Sequence, residues 1–401
     1  MYKKNFKIGI FWEQFEWGGV DTHIKYLLEG WVGDEDQFII YYNKGNQGAV
    51  RFKNETNLKN IIFKEHKSLY NTKKNYLFFL LEPIKYLTSI IKYFNILKNE
   101  NLDVIICQNG GYPAAYGVLA ALVSAFKLKI SVRILVIHHQ AKKPILFMNT
   151  IRVLLDKITS KISSSIICVS QATLESLKKN TFLLENENTH PVVIYNCVPK
   201  LDNLTEKNIF KRNVNEKLIA ILGRIDDYKG HQDLIYSFSK LPDSIKKNNK
   251  ILIIGSGNDE ITLKLQKFIS KLNLENHVFF KGYINDKIEN ILKSIDLLVM
   301  PTRSFEGFGY TIAEAMSVGT PVLASNVGAI HEFLTKDVGR LFQPGNINEL
   351  TESIIDFNIN NEEWIQKSKK AKVKINKKFN SMKIASEFRN HIDQKYLEGI
   401  K

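Results

Sequence analysis

The chain has 401 residues, of which 44% are hydrophobic and 11% aromatic, and a formal net charge of +15. This length exceeds a single ordinary hydrophobic core and predicts two domains, and the apolar content excludes a largely disordered chain. Residues 1–200 hold 26 Lys and Arg against 16 Asp and Glu, a balance that suits an anionic membrane, an anionic lipid-linked molecule or nucleic acid as a partner.

The cysteines and the N-terminus indicate the compartment. Cys107, Cys168 and Cys197 lie in or beside apolar stretches without paired spacing, which predicts buried, reduced thiols. The N-terminus lacks the apolar region of a signal peptide, and no run of about 20 apolar residues indicates a transmembrane helix. A cytoplasmic location is therefore expected.

The first half of the chain alternates apolar strands with helical stretches, which predicts a parallel sheet. Gly18 and Gly19 separate a strand from a helix over residues 22–31, although a glycine pair alone is a weak signal because turns use it freely. His138 and His139 end another predicted strand. A histidine in that position is more often a hydrogen-bonded scaffold residue than a catalytic one.

Residues 73–98 mix lysines with apolar and aromatic side chains. From Ile84 onward the apolar residues recur at helical spacing. One interpretation is an interfacial helix that meets anionic lipid. The other is a domain helix that buries the same stripe against the sheet. Both can hold in part, with Lys73 and Lys74 near lipid and the residues from Ile84 onward packed inside.

A pair of cations follows the first strand of the second half. The apolar segment 218–222 runs into Gly223 and Arg224, and Lys229 comes five residues later, before a helical stretch. Arginine supplies a rigid bidentate fork and lysine a compact point charge, so the pair suits a diphosphate. The later segments that read as strands begin at residues 251, 278, 295 and 320.

The most informative segment, residues 304–316, places Glu306 and Glu314 on either side of a glycine-punctuated turn that enters a helix. Gly307 and Gly309 allow a ligand to approach the backbone, and the helix start offers unpaired N–H groups. The two carboxylates can accept hydrogen bonds from different parts of one polyhydroxylated ligand. The alternative is a surface loop followed by an ordinary solvated glutamate, and spacing alone does not decide between the two.

Together these motifs resemble the family 4 glycosyltransferases, whose GT-B fold is an α/β fold of two Rossmann-like domains that face each other across a cleft. The segment of Arg224 and Lys229 is similar to the family's diphosphate-binding pair, and Glu306 with Glu314 is similar to its paired glutamates. Residues 319–325 are also typical. Any one motif would be weak, whereas several in the family's order are a strong signal.

The resemblance implies a role for each candidate residue. Arg224 and Lys229 would hold the diphosphate of a nucleoside diphosphate sugar, Glu306 the hydroxyls of the donor sugar, and Glu314 those of the ribose. One of two histidines would lie close to the donor sugar in the catalytic centre. The candidates for this position are His139, which is preferred, and His138. The remaining donor-binding candidates are Gly18, Gly19, Tyr283, Gly307, Phe308, Gly309 and Tyr310.

The resemblance also implies the domain organisation. Residues 1–198 are the expected N-terminal, acceptor-side domain, and residues 199–378 the expected domain that binds the nucleotide sugar. Residues 379–401 are expected to form a helix that crosses back to the first domain.

The implied activity is the transfer of a hexose or N-acetylhexosamine, with retention at the anomeric carbon, from a nucleoside diphosphate sugar to a glycan or lipid-linked acceptor. Bacterial surface polysaccharide synthesis (lipopolysaccharide, O-antigen or capsule) is the expected context. A peripheral position on the inner face of the cytoplasmic membrane accords with the positive charge, and no nucleic acid partner is expected.

No metal or other cofactor is expected. The cations Arg224 and Lys229 and the helix N-termini can neutralise a diphosphate leaving group. Asp34-Glu35-Asp36 has the Asp-x-Asp spacing of some cation sites, but it lies outside the nucleotide-binding segments and is expected to be a solvated turn.

Two alternatives remain open on the sequence. One is a GT-B enzyme of another reaction, such as a sugar-nucleotide epimerase or a soluble polysaccharide synthase. The other is a non-catalytic basic module that binds membrane or nucleic acid. The paired glutamates argue against the epimerase, and the complete set of donor-binding motifs argues against loss of catalysis.

Overall fold

The computed structural model describes residues 4–15, 18–31, 35–70, 82–143, 149–183, 191–199 and 208–400. The chain divides into two compact units. Unit 1 comprises Met1–Pro199 and Ser381–Lys401, and unit 2 comprises Lys200–Asn380. The boundaries expected from the sequence lie within two residues of these.

Unit 1 alternates strands and helices along the chain. In order, its elements are β1 (Lys7–Phe11), α1 (Gly19–Glu29), β2 (Gln37–Asn43), α2 (Gln47–Glu55), β3 (Ile61–His66), α3 (Glu82–Leu97), β4 (Val104–Asn109), α4 (Tyr116–Lys127), β5 (Val132–Ile137), α5 (Asn149–Ile162), β6 (Ser165–Cys168), α6 (Gln171–Asn180) and β7 (Val192–Val193).

The seven strands of unit 1 form one parallel sheet in the order β3-β2-β1-β4-β5-β6-β7. Since β2 and β3 lie on one side of β1 and β4 on the other, the order reverses between β1 and β4. Ligands of such sheets bind beyond the carboxyl ends of the strands at this point. The chain places Glu13 there after β1, and Gln108 and Asn109 at the end of β4.

The core of unit 1 fills both faces of this sheet. Strands such as β4 are buried along their whole length, which explains why they read as continuous apolar runs. Cys107, Cys168 and Cys197 have no exposed surface, and burial raises the pKa of each thiol. These cysteines are free thiols, as expected.

Helix α3 corrects the expectation that the residues from Ile84 onward pack inside. Its inner face buries Ile90, Tyr93 and Leu97, but Ile84 and Ile91 are 57% and 64% exposed. The stripe is therefore divided between two faces of the helix. Lys73 and Lys74, the residues expected nearest to lipid, lie outside the described part of the chain.

Unit 2 repeats the alternation. Its elements are β8 (Lys217–Leu222), α7 (His231–Ser239), α8 (Asp243–Lys246), β9 (Asn249–Ile254), α9 (Asp259–Lys271), β10 (Val278–Gly282), α10 (Ile288–Lys293), β11 (Leu297–Met300), α11 (Tyr310–Val318), β12 (Val322–Ser325), β13 (Arg340–Phe342), α12 (Ile347–Ile359) and α13 (Asn361–Lys378), with 3-10 turns at Asp227–Lys229 and Ile330–Glu332.

The six strands of unit 2 are parallel and follow the order β10-β9-β8-β11-β12-β13. The order reverses between β8 and β11, so the loops that leave these two strands meet at one edge of the sheet. The loop after β8 carries Arg224 and Lys229, and the loop after β11 carries Glu306. The topology therefore brings together residues that are about 80 positions apart in the sequence.

The C-terminal helix α14 (Ser381–Ile400) belongs to unit 1, where it packs on α1. Its Arg389 donates from Nε to Asp36 Oδ2 at 2.6 Å, and these side chains are only 4% and 1% exposed. Asp36 also accepts from Phe6 N at 2.8 Å and Trp31 Nε1 at 2.9 Å.

The expectation that residues 34–36 form a solvated turn is therefore wrong at Asp36, because this carboxylate anchors α14. Asp34 lies outside the described residues. Within the part of the chain that is described, no helix is both long and apolar enough to cross a membrane.

Candidate functional site

The loop that leaves β8 is fixed against the end of β11. Gly230, directly after the 3-10 turn Asp227–Lys229, has a φ of +78°, and a Cβ added there would lie 2.0 Å from the carbonyl oxygen of Pro301. Only glycine fits such a close approach at positive φ. The sequence Lys229-Gly230 thus holds the lysine beside the loop that follows β11.

Lys229 and Glu306 form an ion pair within this edge of unit 2. Lys229 Nζ donates to Glu306 Oε1 at 2.6 Å, and each side chain is 19% exposed. The carbonyl oxygen of Glu306 accepts from Ala329 N at 2.9 Å, which fixes the loop. A cation and a carboxylate in contact can bind neighbouring anionic and hydroxyl groups of one ligand.

Arg224 lies near Lys229 along the same loop and is 54% exposed. Its Nη2 donates to Tyr228 Oη at 2.8 Å, and its Nε lies 3.5 Å from Asp226 Oδ2. The guanidinium is oriented by these neighbours and is accessible to solvent, so a phosphate can reach it without a rearrangement of the core.

A second ion pair at this edge was not predicted. Arg303, two residues after Pro301, donates from Nε and Nη2 to the two oxygens of Asp233 at 2.7 and 2.5 Å, and Arg303 N donates to Tyr228 O at 2.8 Å. Asp233, in the first turn of α7, is 6% exposed. The sequence feature that could have indicated a functional role for Arg303 is its position at the carboxyl end of a parallel strand.

Helix α11 begins after Gly309, whose φ of +90° places the chain in the left-handed region that glycine tolerates. Phe308 is 3% exposed, and its ring packs on Tyr310, Phe333 and Phe379 with centroids 5.3 to 5.7 Å apart. The ring belongs to the core. Any contact of Phe308 with a ligand has to come from its main chain, as for Gly307.

Glu314 lies in the second turn of α11 and is 8% exposed. Such burial is not that of the solvated glutamate considered as the alternative. Burying a carboxylate is costly unless polar groups compensate for the lost water. Burial therefore distinguishes Glu314 from a surface glutamate. It lies in α11, the helix that follows the loop of Glu306.

Tyr283 lies apart from Arg224, Lys229 and Glu306 in the order of the strands. It directly follows β10, the edge strand, which is two strands removed from β8, and its side chain is 62% exposed. It shares the carboxyl edge of the sheet with Arg224 and Lys229.

In unit 1, Gly18 and Gly19 form the start of α1. Gly18 N donates to Asp21 Oδ2 at 2.9 Å, while Asp21 Oδ1 accepts from Trp12 Nε1 and Asn46 Nδ2, each at 3.2 Å. Burial raises the pKa of Asp21 to about 6. The carboxylate of Asp21 therefore accepts the hydrogen bond of one N–H group, that of Gly18, at the start of α1.

The two candidate histidines differ sharply. His138 is 9% exposed, and its Nε2 lies 2.6 Å from Gln108 Oε1. Its ring meets that of His23 edge to face with centroids 4.8 Å apart, and burial together with His23 keeps the pKa of His138 well below its ordinary value. His138 is thus a neutral, buried group. His139 is half-buried, and the preference for it as the residue near the donor sugar stays a prediction.

Gln108, His23 and Glu13 are buried polar residues of this edge that the sequence interpretation did not single out as functional. Glu13 Oε1 accepts from Ser68 Oγ at 2.7 Å and Tyr93 Oη at 2.5 Å, and burial raises its pKa. Among the residues that the structure describes, no group of three His, Cys, Asp or Glu side chains is arranged to hold a metal ion.

Comparison with known proteins agrees with this geometry. Residues 202–375 match the model of the glycosyl transferases group 1, and residues 17–200 match that of glycosyltransferase family 4. The chain is 28% identical to an uncharacterized glycosyltransferase of Methanocaldococcus jannaschii over 86% of both chains. It is also 28% identical to the capsular polysaccharide biosynthesis glycosyltransferase CapM of Staphylococcus aureus, over 67% of this chain and 70% of CapM.

Against some other curated relatives, the chain spans about half of their length (47% and 58%). Among solved structures, Anabaena Alr3699/HepE in complex with UDP-glucose matches with a TM-score of 0.70 and 19% identity over 97% of this chain and 100% of that one. At this identity the likeness shows the fold, which is α/β with two Rossmann-like units of the GT-B type. The two family models follow one another over nearly the whole chain, which belongs to the family 4 glycosyltransferases.

Proposed function

We propose that this protein transfers a hexose or N-acetylhexosamine from a nucleoside diphosphate sugar to a glycan or lipid-linked acceptor, with retention at the anomeric carbon. The observation that carries the proposal is the Lys229–Glu306 pair at the topological reversal of unit 2. The complex of HepE with UDP-glucose, a protein of the same fold, supports a nucleotide-sugar donor.

Each residue then has a physical task. Lys229 and Arg224 bind the diphosphate, and their positive charge stabilises the negative charge that develops on it as the bond to the sugar breaks. Glu306 accepts hydrogen bonds from sugar hydroxyls and orients the anomeric carbon. The main chain of residues 307–310 and the start of α11 lie beside sugar and phosphate.

Bacterial surface polysaccharide synthesis is the proposed context. CapM, a relative in capsular polysaccharide biosynthesis, supports it. The excess of positive charge in residues 1–200 accords with an anionic, lipid-linked acceptor at the inner face of the cytoplasmic membrane.

The test of the function is a thermal-shift screen with UDP, GDP and ADP sugars. A donor at 100 times its dissociation constant should stabilise the protein by about 2.7 kcal/mol. Turnover of that donor, with nuclear magnetic resonance of the anomeric proton of the product, reports the stereochemistry. A shift with no turnover for any donor would favour a non-catalytic binding module, and an inverted product would contradict retention.

Metal independence is a separate prediction. We expect turnover to persist in the presence of EDTA, because two cationic side chains supply the charge that a divalent ion would otherwise provide. The measurement is the initial rate with EDTA, and again after addition of magnesium or manganese. Loss of activity with EDTA that either ion restores would show that the side chains are not sufficient.

Glu314→Gln should mainly weaken nucleotide affinity, with a smaller effect on the rate at saturating donor, if Glu314 binds the ribose hydroxyls. A hydrogen bond to a charged group contributes about 1.5 to 3 kcal/mol, which corresponds to a roughly tenfold to more than hundredfold increase in the nucleotide dissociation constant. Isothermal titration with the nucleoside diphosphate measures it. Glu352→Gln, at an exposed position of α12 in the same unit, is the control, and unchanged nucleotide binding in Glu314→Gln would contradict the role.

A further inference from the structure

Helix α3 carries an apolar stripe on its solvent side. Ile84, Leu87 and Ile91 are 57%, 60% and 64% exposed. Spacings of three and four residues place them on one face of the helix. The opposite face packs into the unit through Ile90 and Tyr93, so folding of the unit does not account for the outer stripe.

Helix α5 repeats the arrangement. Ile151, Leu154 and Ile158 have the same spacing and are 65%, 59% and 41% exposed. Helix α4 contacts both α3 and α5, so the two stripes belong to one layer of helices on unit 1. Single exposed apolar side chains are ordinary, whereas two such stripes on helices that both contact α4 indicate an interaction surface.

The charges of this surface are positive. Among the described side chains of α3 and α5, the most exposed positions that are not apolar are Thr88, Asn95, Thr150, Lys157 and Lys161. The one partly exposed carboxylate among them, Glu82 at 38%, is paired with Lys85 Nζ at 3.3 Å. Lys98 after α3 and Lys127 at the end of α4 are also exposed. Two copies of such a face would repel each other, whereas an apolar, negatively charged partner would be attracted to it.

We propose that the outer face of α3 and α5 docks on an anionic lipid bilayer, with the six aliphatic side chains in the interface and the lysines near the phosphates. Amphipathic helices bind membranes in this way, through apolar area and attraction to anionic headgroups. The biological reason rests on the proposed function, since docking would bring the enzyme to a lipid-linked acceptor, but the surface itself is argued from exposure and charge alone.

The experiment is flotation of the full chain with vesicles of phosphatidylcholine and phosphatidylglycerol, compared with vesicles of phosphatidylcholine alone. The wild type should float with the anionic vesicles and less so as salt rises, because exposed charges are screened beyond about 8 Å at physiological ionic strength. Leu87→Asp combined with Leu154→Asp should reduce the partition coefficient at least about tenfold, since both stripes lose apolar area and gain negative charge.

Lys157→Ala combined with Lys161→Ala should reduce the partition coefficient into the anionic vesicles by roughly fivefold for each lysine. The matched control is Leu263→Asp, a leucine of α9 in unit 2 that is 51% exposed. Circular dichroism and the thermal midpoint should be unchanged in all variants, because the substituted side chains are exposed. Flotation of the Leu87 and Leu154 variant at the level of the control would overturn the proposal.

Two further outcomes would also overturn the proposal. One is equal flotation of the wild type with both kinds of vesicle. The other is a wild type that does not float and that light scattering shows to be a dimer, which the substitutions at Leu87 and Leu154 dissociate. Donor turnover separates this proposal from the proposed function. A variant that no longer floats but still hydrolyses the donor at the wild-type rate supports the docking surface. A wild type that floats but turns over no donor leaves the surface intact and refutes the activity.

Discussion

Lys229→Ala should lower kcat/KM for the donor by roughly tenfold to more than a hundredfold, because charge-assisted hydrogen bonds contribute about 1.5 to 3 kcal/mol each. Arg224→Ala should have an effect of the same order. The fold should stay intact, since Lys229 lies at the end of a short turn and its main contact is the ion pair with Glu306. Steady-state kinetics with the donor found by thermal shift measures the loss.

The pairing of Lys229 with Glu306 makes a sharper prediction. If Lys229 binds the donor diphosphate as proposed, the diphosphate has to share or replace the contact between Lys229 Nζ and Glu306 Oε1. Glu306→Gln keeps the shape of the side chain but removes its negative charge, so turnover should fall while affinity for the free nucleoside diphosphate stays the same or rises. Lys229→Ala should weaken that affinity, and the double variant should show strong non-additivity because the two residues are in contact.

Lys367→Ala is the matched control. Lys367 lies in α13 of unit 2, and its side chain is 24% exposed. Its Nζ forms an ion pair with Glu363 Oε1 at 2.7 Å. Its removal should leave the kinetics unchanged. If Lys229→Ala and Arg224→Ala both retained near-normal kinetics, these residues would have to be removed from the site. If Glu306→Gln weakened nucleoside diphosphate binding as much as Lys229→Ala does, Glu306 would not compete with the diphosphate for Lys229.

Asp36→Ala should destabilise unit 1 by about 3 kcal/mol, because it leaves the buried guanidinium of Arg389 without its main carboxylate. For a domain of this size the thermal midpoint should fall by about 6 to 12 °C. The loss is larger than for a surface ion pair because Asp36 also accepts hydrogen bonds from Phe6 N and Trp31 Nε1. Differential scanning calorimetry measures the transition of unit 1.

Glu55→Ala provides the comparison for an exposed ion pair of the same unit. Glu55 is 39% exposed and contacts Lys25 and Arg51, and such pairs contribute about 0.2 to 1 kcal/mol. Nucleotide binding, which we propose to involve residues of unit 2, should survive in both variants. A midpoint for Asp36→Ala no lower than that of Glu55→Ala would show that α14 is held by its other contacts.

Local patterns predicted most of the fold. Apolar runs such as residues 218–222 and the uninterrupted helix after Gly309 are recognisable because strand and helix periodicity and glycine punctuation act over a few residues. The order of strands and helices then implies parallel sheets, and the carboxyl edges of such sheets collect the loops that bind ligands. The motif of Glu306 and Glu314 could be recognised for the same reason, since its spacing is local.

The sequence by itself thus determined the two α/β units and indicated the candidate residues of a donor site, whereas burial was decided by the tertiary structure. Asp36 looked like part of a solvated turn and is buried, because its partner Arg389 is 353 residues away in the chain. Ile91, a core residue in one of the two interpretations of its stripe, is exposed. Helical spacing shows that a stripe exists, but which side of the stripe packs on the sheet depends on neighbours that are distant in sequence, and no local pattern records them.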